Sequence, residues 1–310
     1  MRWSTYISPR DDIDHVALVH DGVLFGLASP AHLIDLLGDD GTRLSEAARL
    51  ARSDPWETVA VDDATLRAPI PVPPSIRDFM AFEEHVVTST EALGHSVDPV
   101  WYKMPLFYFS NPAAVLGPRD NVAISPGSQQ WDYELEIAAV VGRGGRDLDP
   151  ATAESHIAGY LILCDWSARD IQAAEMLGML GPAKGKDSAT SLGPWLVTPD
   201  ELGPRRAGHA YDLEMTASVN GRRWSTGNMS TIYWSFGQLL AYASRGTELR
   251  PGDIIGSGTV GTGCILELSR VHGSDAYPWL TPGDKVNLEV TGLGTIDASM
   301  TRGVSVVPLR

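Results

Sequence analysis

Residues 132–141 read Asp-Tyr-Glu-Leu-Glu-Ile-Ala-Ala-Val-Val, and they constrain the fold more than any other stretch. The second half is apolar without interruption, the pattern of a strand covered on both faces. In the first half, strand alternation puts Asp132, Glu134 and Glu136 on one face and Tyr133, Leu135 and Ile137 on the other. One element must therefore pass from a row of carboxylates into a buried interior. Two settings allow this: an edge strand whose acidic side is solvated, or a site where a hard cation gathers the carboxylates. Mg²⁺, Mn²⁺ and Ca²⁺ all prefer such oxygen ligands.

The rest of the chain supports an α+β, β-rich fold. Further strands are predicted at 158–164, 195–197, 213–219, 253–257, 264–271 and 285–290, and helices at 77–93, 166–177 and 231–244. Near the N-terminus, two apolar runs flank Asp21-Gly22, a hairpin signal. Short helical patterns follow at 30–37 and 42–52. Residues 68–74, Ala-Pro-Ile-Pro-Val-Pro-Pro, form a semi-rigid stretch and the best boundary. It divides a small N-terminal α+β unit, 1–70, from a larger unit, 71–310.

Composition excludes some partners. With 39 acidic and 24 basic residues the formal charge is −15, which argues against nucleic acid and anionic membranes. Two cysteines are too few for a disulfide framework or a cysteine zinc site. The polar N-terminus resembles no signal peptide, and no apolar run approaches the ~20 residues of a spanning helix. A cytoplasmic protein is expected.

Four more segments can carry chemistry. Cys164-Asp-Trp-Ser-Ala-Arg-Asp-Ile-Gln172 follows an apolar run; on a helix, Asp165, Arg169 and Gln172 would share one face. They are either a cap with an ordinary ion pair, or a cation ligand beside two donors. The loop from Gly181 to Pro194, with Lys184 and Lys186, suits an anion but could equally be a mobile surface loop. Asp78 and His85 would lie two turns apart on a helix, where a histidine is either solvated or catalytic. Glu267, within Cys-Ile-Leu-Glu-Leu, is either half-exposed or held by a partner such as an imidazole. There is no nucleophile elbow, zinc-protease helix or dinucleotide fingerprint, and no organic cofactor is expected.

In their order, DYELEIAAVVG, CDWSARDIQ, GPWLVTPDEL, VNG and PGDIIGSGTVGTG, these segments resemble the fumarylacetoacetate hydrolase family from about Asp78 to Val290. The resemblance is to its longer members, which carry an Asp/His motif ahead of the core. It implies a mixed β-roll catalytic domain, a homodimer, and one divalent cation (Mg²⁺, Mn²⁺ or Ca²⁺). Its ligands would be Asp78, Glu134, Glu136 and Asp165. The resemblance further implies His85 as base, oriented by Glu267, with Lys186, Arg169 and Gln172 as donors to a developing oxyanion. Tyr108 and Thr259 would contact substrate, and Thr190 would lie near the cation and the substrate.

Three polar substrate contacts of the fumarylacetoacetase-like members are replaced here by Met80, Gly94 and Met176. The implied activity is hydrolysis of a carbon–carbon bond in a 1,3-dicarbonyl small acid, such as an acylpyruvate, with a more apolar or shorter substrate than fumarylacetoacetate. The alternative on the same site is a lyase or isomerase: an oxaloacetate-type decarboxylase, a dienoate hydratase or a tautomerase.

Overall fold

The computed structural model describes residues 1–30, 32–91 and 94–310. The N-terminal strands are β1 (Arg2–Ile7), β2 (Asp14–His20), β3 (Val23–Gly26) and β4 (Thr58–Ala60), with helix α1 (Thr42–Ser53) between the last two. Then come β5 (Ile76–Phe79), α2 (Glu83–Glu91), β6 (Phe107–Ser110), β7 (Leu135–Val141), β8 (Ile157–Asp165), α3 (Arg169–Met176) and β9 (Thr190–Val197). The chain continues through β10 (Glu214–Val219), β11 (Arg222–Asn228), α4 (Phe236–Ala243), β12 (Ile254–Gly256), α5 (Ile265–His272), β13 (Lys285–Val290) and β14 (Gly294–Thr301).

One twelve-stranded sheet runs β4-β3-β2-β1-β9-β8-β7-β12-β5-β6, with two short strands off that path. It is mixed: β12 and β5 are parallel, and the other pairs along the path are antiparallel. A five-stranded sheet holds β11-β10-β13-β14 and Val122–Ala123. The hairpin at Asp21-Gly22 forms with both residues at positive φ, 46° and 74°, as a two-residue hairpin turn requires. The expected boundary at 68–74 is crossed by the sheet itself, because β1 pairs with β9.

Side-chain parity explains where the site lies. Ile76, Ala138, Val140, Leu161, Leu163, Leu192 and Ile254 belong to one core cluster with Trp3, Val16 and Leu18 of the N-terminal unit. Successive residues of a strand point to opposite faces. Two positions along from these apolar residues, on the same face, stand Asp78, Glu136, Asp165, Thr190 and Gly256. Neighbouring strands thus turn from apolar to polar together at one end of one face.

Several expected elements differ. The predicted helix at 77–93 is the end of β5, a turn and α2, while residues 92 and 93 lie outside the described residues. Asp78 and His85 therefore do not share a helix. Of the predicted helix at 30–37, only a short 3₁₀ turn at Leu33–Leu36 forms, and residue 31 lies outside the described residues. The helix predicted at 166–177 starts at Arg169, because Ser167 and Ala168 pair with Asp132 and Trp131. Asp165 ends a strand, so it shares no helical face with Arg169 and Gln172. The helix predicted at 231–244 is shorter, starting at Phe236 behind the Ser235–Gln238 capping box. The predicted strand 264–271 is helix α5: its first amides, of Ile265 and Leu266, donate to Asp132 at 2.7 and 3.0 Å. Such a short apolar run suits either element, and a remote carboxylate decides it.

Candidate active site

Six adjacent strands bring the site together. In sheet order they contribute Thr190 from β9, Asp165 from β8, Glu136 from β7, Gly256 from β12, Asp78 from β5 and Tyr108 from β6. Thr190 stands opposite Asp165, Gly256 opposite Asp78, and Asp78 opposite Tyr108. Asp78 and Glu136 come from strands two apart, roughly 9.6 Å at ~4.8 Å per strand, yet an oxygen of each comes within 4.8 Å of the other across β12. Glycine at 256 makes this possible, since a Cβ there would fall 2.3 Å from Asp78 Oδ1. Two residues on, Gly258 (φ +78°) lets the chain pass the Phe79 carbonyl, and its amide donates to Glu136 Oε2 at 3.0 Å.

This arrangement gives a first prediction. Gly256→Ala displaces the Asp78 carboxylate, a strain of about 1–3 kcal/mol, and weakens divalent-cation binding about 5- to 150-fold. Titration calorimetry with Mn²⁺ measures it; unchanged affinity would mean that the approach of Asp78 and Glu136 is not what makes the site.

Asp78, Glu136 and Asp165 are buried, and one oxygen of each lies within 4.8 Å of the other two. Burial, reinforced by the charge of Glu134, pushes Asp78 up to about 6. Burial, with Glu134 and Asp78, pushes Asp165 up to about 8, against the pull of Lys186. Glu136 is raised well above the usual range by burial and then by Asp78. The trio is short of positive charge. Asp78 Oδ1 and Asp165 Oδ1 are buried without a hydrogen-bond partner, and an all-oxygen set of this kind fits a hard divalent cation.

Glu134, the fourth expected ligand, stands apart from that trio. It is held by Lys186 Nζ and, at 2.7 Å, by Arg169. Burial alone would raise its carboxyl, but Arg169, Lys186 and His85 overcome this and hold it well below the usual range. Lys186 also donates to Asp165 at 2.6 Å, and Tyr108 donates to Asp165 and Asp78 at 2.5 and 3.2 Å. Arg169 donates to Gln172 Oε1 at 3.1 Å. The solvated-edge alternative for 132–136 is thus excluded, as all five residues are buried.

Asp132, which no local pattern singles out from its acidic neighbours, joins two halves of the site. Its carboxylate accepts from Arg169 Nε at 2.8 Å and caps α5 through Ile265 and Leu266. From α5 comes Glu267, whose Oε1 lies 2.5 Å from His85 Nδ1 while Oε2 accepts from the Thr262 amide. Both members of this pair are buried, so the solvated reading of His85 does not hold. Thr259 is buried in the glycine-rich stretch 256–263, and Thr190 Oγ1 is 3.4 Å from Ser110. Beyond Gln172, Met176, Leu177, Met179 and Leu180 are exposed. A cavity of about 590 Å³ lies elsewhere, lined by residues including Leu36, Arg49, Arg143 and His156, and none of the site residues borders it. Among the described residues no helix is long and apolar enough to cross a membrane.

Residues 75–301 match the family described as fumarylacetoacetate (FAA) hydrolase, C-terminal. A Burkholderia lata protein provisionally named a hydrolase is 36% identical over 194 residues, 62% of this chain and 64% of that protein. The match thus spans a little under two thirds of that relative's length. Among solved structures, a fumarylacetoacetate hydrolase from Exiguobacterium antarcticum is similar with a TM-score of 0.75 at 23% identity, covering 98% of this chain and 100% of that one. A maleylpyruvate hydrolase from Sphingobium gives 0.72 at 20%, with coverage of 98% and 100%. These two establish the fold. A 5-carboxymethyl-2-hydroxymuconate delta-isomerase from Mycobacterium smegmatis gives 0.69 at 25%, again covering 98% and 100%.

Proposed function

We propose that this chain, which belongs to the fumarylacetoacetate hydrolase family, a family of enzymes, is a divalent-cation-dependent hydrolase that cleaves a carbon–carbon bond in a 1,3-dicarbonyl small acid. The observation that carries the reading is the buried His85–Glu267 pair, joined at 2.5 Å, in a molecule that also holds a carboxylate trio suited to a cation. Asp78, Glu136 and Asp165 would hold the ion, with Glu134 at its flank. When bound, the ion supplies Lewis-acid stabilisation of negative charge on substrate oxygens.

The chain's own groups account for the rest. Glu267, fixed by the Thr262 amide, holds the proton on His85 Nδ1 and leaves Nε2 as the base. Nε2 takes a proton from water, and the hydroxide oxygen bonds to the distal carbonyl carbon. That carbon then loses its bond to the central carbon, whose electron pair leaves with the departing keto acid. The proton on Nε2 ends on that central carbon. Lys186 and Arg169 place two buried positive charges beside the reacting oxygens, and Gln172 braces Arg169.

The exposed Met176, Leu177, Met179 and Leu180, with Met80 in place of a polar group, favour an acyl substituent that is apolar. The test is a panel of acylpyruvates, β-keto acids and oxaloacetate with Mg²⁺ or Mn²⁺, followed by loss of enol absorbance. Acylpyruvates with apolar acyl groups are expected to be consumed fastest. Decarboxylation of oxaloacetate with every diketone untouched would overturn the reading. A second reading, isomerase or tautomerase, is favoured by the name of the Mycobacterium smegmatis relative, and such chemistry needs no activated water.

A further inference from the structure

Besides the oxygen trio, the buried interior holds a second set of donors of different chemistry. His85, Cys264 and Glu267 are all buried, and one donor atom from each lies within 4.8 Å of the other two. Cys264 is a free cysteine at the N-cap of α5, three residues before Glu267. We propose that these three side chains form a separate, inhibitory site for a borderline-soft divalent cation such as Zn²⁺.

The argument is one of ligand type and reach. Nitrogen, sulfur and carboxylate together select zinc-like ions, whereas Asp78, Glu136 and Asp165 offer only oxygen and suit Mg²⁺, Mn²⁺ or Ca²⁺. Tetrahedral bonds of about 2.0–2.3 Å need donors roughly 3.3–3.8 Å apart, and the three here already lie within 4.8 Å of one another. Binding releases the thiol proton, held in place by burial and by the charges of Asp132 and Glu267, and oxidises nothing. It separates His85 from Glu267 and occupies the imidazole, which can then take no proton from water. Three protein ligands leave a fourth position for water or substrate. The inhibitory effect rests on the proposed function; the site itself does not.

Two readouts keep those apart. Co²⁺ is titrated into the protein in excess Mg²⁺, and a thiolate-to-cobalt charge-transfer band is expected to saturate at one equivalent and to be displaced by Zn²⁺. Cys264→Ser puts a favoured N-cap residue where the cysteine makes no side-chain cap bond, and it keeps its Mg²⁺-supported turnover. It is expected to lose the band and to need at least tenfold more Zn²⁺ for half inhibition. No band in the unaltered protein, a band that survives C264S, or equal zinc sensitivity of the two proteins overturns the proposal. If no diketone is turned over, the band alone still decides whether the site exists.

Discussion

Replacing His85 by alanine is expected to lower turnover about 10²–10⁴-fold, the usual contribution of a positioned general base, and to leave cation affinity unchanged. The separation of the two effects follows from the geometry. His85 comes from α2 and meets Glu267 of α5, whereas Asp78, Glu136 and Asp165 come from β5, β7 and β8. Glu267 keeps its bond from the Thr262 amide, so the variant retains a partner for the buried carboxylate. His85→Asn, which can still donate to Glu267, is expected to fold as well as the parent and to be equally inactive. Steady-state kinetics on whichever acylpyruvate of the panel is consumed fastest, alongside Mn²⁺ titration, checks both halves. Full turnover by H85A would eliminate water activation and leave isomerisation or decarboxylation as the chemistry.

Lys186→Met has the second large effect, on stability and rate together. The ammonium is buried between Glu134 and Asp165, and removing one partner of a buried pair costs about 3–5 kcal/mol. Arg169 still covers Glu134 and Tyr108 still donates to Asp165, which places the loss toward the lower end of that range. Turnover falls about 10²–10³-fold if Lys186 stabilises developing negative charge. Cation binding moves the other way: with one positive charge gone the carboxylates attract a divalent ion more strongly. Added Mg²⁺ is then expected to stabilise K186M more than it stabilises the unaltered protein. Denaturant unfolding with and without Mg²⁺ measures this, and weaker cation binding with normal turnover would refute the role given to Lys186.

Much of the site could be read from local pattern. Glu134, Glu136 and Asp165 stand where an apolar strand gives way to acid, and the hairpin at Asp21-Gly22 is written in two adjacent residues. What stayed hidden depends on partners remote in sequence. Asp78 sits on a four-residue strand that exists because it lies parallel to β12, a pairing that the charged segment around it does not advertise. Cys264 to Val271 carries too short an apolar run to distinguish strand from helix, and the cap that settles it is Asp132. Glu134 is paired with Arg169 and Lys186, which lie 35 and 52 positions away. A row of carboxylates on one strand says that something positive must face it; the sheet decides which positive group faces which member.

The parity of the large sheet has a further consequence, for where the protein could be cut. Trp3, Val16 and Leu18 are buried against Ala138, Leu163 and Leu192, on the face whose far end bears the carboxylates. A fragment beginning near residue 75 would keep every proposed ligand and base. It would also strip Leu196 and Val197 of β9 of their partner β1, leaving that stretch of edge bare beside an uncovered apolar surface, and such edges recruit other chains. Covering that edge and apolar surface is a task quite separate from chemistry, and it falls to the N-terminal strands rather than to any residue of the site.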